Sequence, residues 1–493
     1  MNRYLSVLIV PFLFSCAASK NYNPNKKYSA AELKEDYQFV RNVLQDKHPS
    51  LYWYTSKDSM DRYFRAGYRS ITDSMTELQF GWKVLAPLTA AIHDGHTSFS
   101  MSKKWNHFIR GKSIPSFPLF LKVWSDTMMV IGNLHRKDSL ISNGDFVTAI
   151  NGISSRQIIH HMFNYMVQDG YADNVNYIRL SGSFPYFHRN IFGLYKNYVI
   201  DFTDSTGQAR NATLPYFSPD PDSVKKRTQR RIASRKQWTR QQRLERIRSL
   251  EIDSNYALMT VNTFSGGHLK SFFRRSFRQL RKRGDSNLVI DLRANGGGDI
   301  VKSVLLTRYL RNTPFKVADS AYAISRTFRP YTSHISRGFL NNLGLLFVTN
   351  KKKDGNYHFG YWERHYFKPR RKNHFDGNVY VLINGLTFSA SSLFCNAVKG
   401  QPNITLVGEE TGGGWYGNSG ILIPTVTLPN TGLRLRLPLF RLVQFEHEVA
   451  HKGSGILPDI PVGPDWRDVL KGVDTKIEAV KKIISQKQLP ATP

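Results

Sequence analysis

The chain has 493 residues, enough for two or three domains with buried cores. Hydrophobic residues make up 41% and charged residues 22% of it, which excludes a wholly disordered or a fibrous chain. Lys and Arg outnumber Asp and Glu by 69 to 37, and the net charge of +32 favours an anionic partner or membrane surface without indicating a fold. With only two cysteines, Cys16 and Cys395, a disulfide framework is also excluded.

The first sixteen residues are typical of an export signal. Arg3 precedes an apolar run over 4–14 that is too short to span a bilayer comfortably. Leu13-Phe14-Ser15-Cys16 resembles a bacterial lipoprotein signal, whose cysteine is acylated and becomes the mature N-terminus. The resemblance implies a signal peptide over 1–15, a lipidated Cys16 and a tether over 16–28 in the bacterial cell envelope, on the periplasm-facing outer membrane. An ordinary secretory signal with an incidental cysteine is the alternative.

Two units are predicted before the middle of the chain. Ser29-Ala30-Ala31-Glu32 has the spacing of a capping box and is followed by apolar residues at helical intervals, which predicts a helical segment over 29–112. Residues 113–215 show strand and turn signals. Their stretch from Gly144 to Gly152 resembles PDZ domains, which bind peptides by adding a strand to a sheet edge. We therefore expect a PDZ-like β domain here.

A strongly basic stretch over 216–250 follows. Between 225 and 248 eleven Lys or Arg residues oppose one Glu, and apolar residues give no steady helical stripe. A nucleic-acid site would need stacking aromatics among these charges, and only Trp238 qualifies. A solvated insertion is favoured, contact with an anionic lipid or glycan is the next alternative, and a nucleic-acid partner is disfavoured.

From 251 to 475 the chain alternates strand and helix signals, which predicts an α/β layer with a largely parallel sheet and a tail over 476–493. The stretch between 315 and 375 interrupts this alternation and is predicted to be an irregular insertion near the substrate side. The fold class is therefore multidomain α/β.

Two tight turns that each join a strand to a helix carry the chemistry. The first, Asp291-Leu-Arg-Ala-Asn-Gly-Gly-Gly298, can turn backbone amides toward an anion, and it lacks both the P-loop ending and the dinucleotide spacing, so an oxyanion is the favoured ligand. The second runs from Asn384 to Ser392 and places Ser389 at the start of a helix. A serine there suits a nucleophile, although on this turn alone a helix cap is the commoner role.

Four motifs in a fixed order resemble the family of C-terminal processing peptidases and tricorn-like serine proteases. They are Asp-Leu-Arg-x-Asn-Gly-Gly-Gly, Asn-Gly-x-Thr-x-Ser-Ala-Ser, the Gly-Glu-Glu-Thr-Gly-Gly turn at 408–413 and Gly-Ile-Leu-Pro-Asp at 455–459. The resemblance implies a ClpP/crotonase-like catalytic core with Ser389 as the nucleophile. It also implies an oxyanion hole made by the amides of Ala390 and a glycine of the triple, for which we choose Gly297.

The residue expected to act as general base differs from the lysine used by one branch of that family. The Ser/Lys peptidases place a lysine just past the Gly-Glu-x-Thr turn, where this chain has glycines and Trp415. The tricorn-like branch uses histidine, and Asp94-Gly95-His96-Thr97 resembles its segment, so His96 is the expected base. That branch orients its histidine with a glutamate before the Gly-x-x-Pro-Asp turn, for which Glu448 is our choice and Glu446 the alternative.

Other roles for this histidine segment remain open. His93 and His96 could be metal ligands three residues apart, but no third ligand with a recognisable spacing follows, and His96 could also be purely structural. No metal or organic cofactor is implied. The sequence thus predicts a lipid-anchored serine endopeptidase acting on polypeptides, and the main alternative is a catalytically silent lipoprotein that holds a peptide or apolar ligand in the same cleft.

Overall fold

A computed structural model describes residues 22–444 and 452–488 of the chain. The predicted signal peptide and Cys16 lie outside these residues, as do the candidate acids Glu446 and Glu448. None of the helices within the described ranges is both long and apolar enough to cross a bilayer.

The N-terminal unit is helical, as predicted, and its first helix starts at the expected capping box between Ser29 and Glu32. Its buried face comprises Leu33, Tyr37 and Val40, at the helical spacing seen in the sequence. The elements are β1 (Lys27–Tyr28), α1 (Ala30–Lys47), α2 (Lys57–Arg69), β2 (Met75–Thr76), α3 (Glu77–Phe80), a π-helical turn (Gly81–Leu85), α4 (Ala86–Ala91), β3 (Ser98–Ser100) and α5 (Lys103–Phe108).

The second unit is an antiparallel sheet with two helices packed on it, and its mainly β character was predicted. The sheet order is β4-β5-β6-β8-β9, with β7 paired to β6. Its helix after the Gly144–Gly152 stretch begins at Ser155, as predicted. The PDZ-like character of this unit stays a prediction. The elements are β4 (Leu119–Trp124), β5 (Thr127–Asn133), β6 (Phe146–Ile150), β7 (Ile153–Ser154), α6 (Ser155–Phe163), α7 (Asn174–Phe192), β8 (Asn197–Thr203) and β9 (Ala209–Pro215).

The basic stretch forms two helices, α8 (Pro221–Gln237) and α9 (Arg240–Glu245). No side chain of α8 is buried, which agrees with a solvated insertion. The Arg246 guanidinium covers one face of the Trp238 ring, 4.0 Å from its centroid. The stretch therefore offers a single-stranded nucleic acid little aromatic surface on which bases could stack.

The α/β unit is built on a six-stranded sheet of order β10-β11-β12-β16-β17-β22, in which only β10 is antiparallel to its neighbour. The largely parallel sheet confirms the prediction. Its strands and the helices between them are β10 (Arg248–Ile252), β11 (Ala257–Val261), α10 (Leu269–Arg283), β12 (Asn287–Asp291) and α11 (Ile300–Thr307).

The stretch between 315 and 375 was predicted to be irregular, and this was partly wrong. It contains β13 (Ala318–Ala323), a 3₁₀ turn (Thr332–His334), α12 (Gly338–Val348), β14 (Asn350–Lys351), β15 (Tyr357–His358) and α13 (Gly360–Arg364). The strands belong to a second sheet of order β14-β15-β13-β21-β18, which β13 joins to the rest of the chain by pairing with the later strand β21. Such long-range pairing leaves little local signal in the sequence.

The remaining elements return to the central sheet and then close the chain. They are β16 (Asn378–Ile383), α14 (Ala390–Val398), β17 (Ile404–Gly408), β18 (Gly417–Asn418), β19 (Thr425–Thr427), β20 (Arg434–Arg436), β21 (Arg441–Gln444), β22 (Ile460–Pro461), α15 (Trp466–Lys471) and α16 (Thr475–Gln488).

Both faces of the central sheet are covered, because successive residues of its strands point to opposite sides. Leu288 and Ile290 of β12 pack in the cluster that includes α10 and α14, whereas Val289 packs with Val480 and Ile484 of α16. In addition, β12 and β16 are parallel neighbours, with Asp291 beside Leu382. The triple-glycine turn after β12 and the Ser389 turn after β16 therefore lie at the same edge of the sheet.

The N-terminal unit is joined to the α/β unit by a shared core and a shared sheet. Its helices bury apolar side chains against the 426–440 segment. Phe99 of β3 pairs with Leu435 of β20. Since His96 lies only two residues before β3, this pairing brings the histidine to the side of the molecule that carries the serine turn.

Candidate active site

Ser389 occupies a strained elbow between β16 and α14. Its φ of +57° and ψ of −121° lie in a region that residues with a side chain rarely adopt. Its side chain does not cap α14, so the commoner role for a serine at this place does not apply. A strained serine between a strand and a helix, at the mouth of a cavity, is the arrangement of a nucleophile elbow.

Gly297 lies directly against this elbow. A Cβ at Gly297 would stand 2.6 Å from the Cβ of Ser389 and 3.0 Å from the amide nitrogen of Ala390. Its φ of +99° also excludes a side chain in practice. The close approach explains why the triple glycine and the serine turn must occur together.

The amides near Ser389 differ in their availability. The Ala390 amide, in the first turn of α14, has no acceptor among the described residues. The Gly297 amide, which we chose from the sequence, already donates to Oδ1 of Asn295 at 3.0 Å. Within the part of the chain that the structure describes, the amides of the other two glycines of the triple, Gly296 and Gly298, have no acceptor. The sequence did not reveal this, because the Asn295 side chain folds back onto its own turn.

His96 meets the serine turn from the N-terminal unit. Its ring lies against the ring of Phe388, with centroids 4.8 Å apart, and Phe388 directly precedes Ser389. His96 is 3% exposed, and neither ring nitrogen has a hydrogen-bond partner in the described structure. His96 and Ser389 line one cavity of about 760 Å³. The structure thus brings together two residues that are remote in the sequence.

Two buried carboxylates flank one edge of the His96 ring. Oδ1 of Asp94 lies 3.7 Å and Oδ1 of Asp169 lies 3.9 Å from Nδ1 of His96. Asp169 is held by the amides of Gly95 at 2.8 Å and Gly414 at 3.3 Å. Asp169 was not singled out in the sequence, since it lies in a stretch without a motif. Only its contact with the Asp94–Thr97 turn identifies it.

Asp94 is fixed by a second, fully buried histidine. The Ser50 amide donates to Nδ1 of His48 at 3.1 Å, so the ring proton is on Nε2, which lies 2.9 Å from Oδ2 of Asp94. The hydroxyl of Thr97 also donates to Oδ2, at 2.8 Å. The orientation of Asp94 is therefore determined by groups on both sides of its carboxylate.

The two carboxylates have opposite pKa shifts. Burial alone would raise the pKa of Asp94, but the hydrogen bond from His48 and the proximity of His96 outweigh it and hold that pKa below its ordinary value. Burial raises the pKa of Asp169 to about 6, against the attraction of His96 and in the same direction as the repulsion from Asp94. Paired acids with separated pKa values are typical of functional sites.

The predicted acid Glu448 and its alternative Glu446 cannot be placed, because they lie outside the described residues. The chain on either side of them contacts the same region. Gln444 donates to the carbonyl oxygen of Gly414 at 2.8 Å, and the carbonyl oxygen of Gly453 accepts from the Tyr171 amide at 2.7 Å. The glutamate thus remains a prediction, and Asp169 is a described carboxylate beside His96.

The same three side chains offer ligand atoms that could hold a metal ion. Donor atoms of Asp94, His96 and Asp169 all lie within 4.8 Å of one another. The third ligand that the sequence spacing failed to supply thus comes from a distant unit. His93 does not take part, since its Nδ1 pairs with the carbonyl oxygen of Gly170 at 2.8 Å.

The cavity beside Ser389 is wide and partly apolar. One wall is formed by Phe359, Trp362 and Ile421, and two of these residues come from the 315–375 insertion. The insertion thus contributes to the cavity that Ser389 also lines, and its place near the substrate side stays a prediction. The cavity is large enough for several side chains of an extended peptide.

A glycine pair provides the first test of this geometry. We expect Gly297→Ala to lower kcat/KM at least about 100-fold and to lower the melting temperature, because the new Cβ would collide with the Ser389 elbow. Gly296→Ala is the matched control, since a Cβ there meets nothing within 4 Å. Steady-state kinetics and thermal denaturation of both variants measure the effect. Equal activity of the two variants would contradict the packing described here.

Comparison with known proteins identifies a family match for part of the chain and a shared fold. Residues 255–462 match the family model of peptidase family S41. A crystal structure of mature CPAF matches with a TM-score of 0.63 at 15% identity, covering 93% of this chain and 97% of that chain. CPAF complexed with lactacystin matches with a TM-score of 0.61 at 14% identity, covering 92% and 98%. At such identities the likeness establishes a shared fold.

No curated protein matches this chain. The family assignment therefore rests on residues 255–462, which contain the triple glycine and Ser389. Through this region the chain is similar to peptidase family S41 and is identified as a serine peptidase.

Proposed function

We propose that the chain is an endopeptidase in which Ser389 is the nucleophile and His96 the general base. The observation that carries the proposal is the Ser389 elbow, which opens into the cavity that His96 also lines. Both ring nitrogens of His96 are without partners, so Nε2 is available for the serine while Nδ1 faces two carboxylates. In a Ser-His-Asp triad, too, one ring nitrogen of the histidine faces the serine and the other faces a carboxylate.

The reaction follows from this arrangement. His96 takes the hydroxyl proton of Ser389 as Oγ attacks the peptide carbonyl carbon, and the resulting oxyanion accepts hydrogen bonds from the Ala390 amide and a glycine amide of the triple. His96 then returns the proton to the leaving amine, and an acyl-enzyme remains. A water, deprotonated by His96, attacks the acyl carbon and releases Ser389.

Asp169 is proposed as a positioning residue for His96. Its carboxylate lies 3.9 Å from Nδ1, so a shift of about 1 Å would make a hydrogen bond. Contraction of this kind is common when a substrate binds. Asp94 lies at a similar distance but is already committed to His48 and Thr97. Asp169 has fewer side-chain partners and is the better candidate for this hydrogen bond.

The variant Asp169→Asn tests this role through two measurements, kcat and the pH dependence of the melting temperature. We expect kcat to fall about 100-fold at pH 7.5, less than for loss of the base, because Asp94 remains beside His96. Since the pKa of Asp169 is raised to about 6, its neutral form stabilises the folded state at low pH, and this stability is lost as the pH rises through about 6. Asn does not titrate. The melting temperature of the variant relative to wild type should therefore increase between pH 4.5 and pH 7.5.

Asp173→Asn is the matched control for this experiment. The pKa of Asp173 is also raised by burial, but its side chain does not line the cavity. We expect wild-type kcat for this variant. If both variants lost activity equally, a positioning role for Asp169 would be excluded.

The substrate and location are part of the proposal. The lipoprotein signal ending at Cys16 supports anchorage in a bacterial cell envelope, on the periplasmic face of the outer membrane, and hence a role in cleaving extracytoplasmic proteins or peptides. The antiparallel unit, β4 to β9, contains the stretch that resembles PDZ domains. A PDZ-like groove there would capture an extended segment of the substrate.

A fluorophosphonate probe, used together with denatured protein substrates, tests the proposal. Labelling of Ser389 that requires His96, with cleavage of the substrate, is the expected result. Binding of peptides without labelling or cleavage would instead support the catalytically silent alternative. Acylation of Cys16 is measured separately, by mass spectrometry of the membrane fraction.

A further inference from the structure

Helix α12 carries an apolar face that points away from the protein. Phe347 is 81% and Phe339 is 74% exposed. Leu340, Leu343 and Leu346 lie on the same face at helical spacing and are also exposed. Contiguous exposed apolar surface of this kind marks an interaction site in a soluble domain.

The polar side chains of α12 point the other way. Asn342 accepts a hydrogen bond from the Phe328 amide at 2.8 Å, and Asn341 donates to the carbonyl oxygen of Ser336 at 3.2 Å. Leu345, on the inner side, is buried in the core of the N-terminal unit. The helix is therefore amphipathic in the opposite sense to an ordinary surface helix. Its two asparagines and Leu345 contact the protein, and its broad apolar face is exposed to solvent.

The segment that contains α12 is basic. From residue 326 to residue 353 the chain contains no Asp or Glu. Six exposed basic residues flank the helix in the sequence, namely Arg326, Arg329, Arg337, Lys351, Lys352 and Lys353. Lys352 pairs with Glu363, so most of this positive charge remains uncompensated locally. Apolar side chains bordered by Lys and Arg are the composition of helices that lie in the interface of an anionic bilayer.

We propose that α12 is a membrane-contacting helix that inserts its apolar face between the headgroups of an anionic bilayer. The segment before α12 packs on α1, with the ring of Tyr331 5.4 Å from that of Phe39. Tyr22 lies six positions after Cys16, a reach of at most about 22 Å. The N-terminal unit, with α12 on its side, would therefore stay close to the bilayer that holds an acylated Cys16. A second contact would fix the orientation of the peptidase on the membrane.

A fluorescent label on α12 tests the proposal. Phe347→Cys is labelled with the environment-sensitive dye NBD in the mature protein, with the N-terminus that it carries in the cell, on vesicles of phosphatidylethanolamine and phosphatidylglycerol. Cys395 is fully buried and burial raises the pKa of its thiol, so the new cysteine is the reactive one among the described residues. Leu140→Cys, which is 61% exposed on another unit, is the matched control.

We expect blue-shifted emission from the label at 347, with at least threefold stronger quenching by spin-labelled lipids than at 140. The second substitution Leu343→Glu should return the label at 347 to the behaviour of the control, while the rate of peptide cleavage in solution stays unchanged. The insertion should also weaken when phosphatidylglycerol is replaced by a zwitterionic lipid.

Two results would overturn the proposal. A label at 347 that stays in water on anionic vesicles would exclude insertion. A label that is shielded but not quenched by the lipid probe would show that protein covers α12, either a second copy of the chain or its own residues outside the described ranges. Neither result bears on the peptidase reaction, which is measured separately with soluble peptides.

Discussion

Replacing Ser389 by alanine should reduce kcat at least about 10⁴-fold, the largest effect expected of any single substitution in this chain. The hydroxyl is the only group that the proposed mechanism makes covalent. The backbone of the elbow already accommodates a Cβ, so the alanine should leave the fold intact. Cleavage of a denatured protein, labelling by a fluorophosphonate and thermal denaturation measure the three consequences. Cleavage at the wild-type rate would remove Ser389 from the mechanism.

Ser391→Ala is the matched control for the nucleophile. Ser391 lies two residues later, is fully buried, and its hydroxyl has no hydrogen-bond partner among the described residues. We expect nearly wild-type activity for this variant.

The strain at the elbow gives the nucleophile prediction a second readout. Glycine adopts a positive φ without a steric penalty, so Ser389→Gly should be as inactive as the alanine variant but more stable than it. Strain of this kind costs about 1–3 kcal/mol and is retained at sites where it serves function. A lower melting temperature for the glycine variant than for the alanine variant would argue against strain.

Replacing His96 by glutamine should lower kcat by about 10⁴-fold and abolish fluorophosphonate labelling of Ser389, because no other histidine and no lysine among the described residues lines the cavity. A loss of this size corresponds to about 5.5 kcal/mol of transition-state stabilisation. Kinetics between pH 5 and pH 9 provide the measurement.

Two controls distinguish a general-base role of His96 from a structural role of the histidine segment and from metal binding. His93→Gln should keep activity within a few-fold, because its contact is a hydrogen bond to the Gly170 carbonyl that an amide can replace. Treatment with a chelator should leave wild-type cleavage unchanged if His96 acts as a base. Loss of activity in the chelator, restored by a divalent ion, would instead favour the metal cluster with Asp94 and Asp169.

The alternation of strand and helix after residue 255 was predictable because it is a local property. Each strand of the central sheet is a short apolar run flanked by turn residues, and parallel strands buried on both faces give this pattern. The elbow at Ser389 was predictable for a related reason. Its neighbours, a strand before and a helix after, are adjacent in the sequence.

The 315–375 insertion was not predictable to the same degree. Its strand β13 pairs with β21, which lies far along the chain. The hydrophobicity of α12 gave no indication of which face it exposes, because the sequence resembles that of a buried helix. The outward face is decided by Leu345 and by the two asparagines that bind the preceding segment.

By itself the sequence located the serine turn at Ser389, the glycine turn at 296–298 and the histidine turn at His96, since each is a short local motif, and the catalytic roles proposed for them came from the family resemblance. Only the tertiary structure decided that Asp169 faces His96 and that the Gly297 amide is occupied by Asn295. Both depend on which distant or folded-back groups come within a few ångströms of one another. Hydrogen bonds and burial act over those distances in space, and sequence spacing does not encode them.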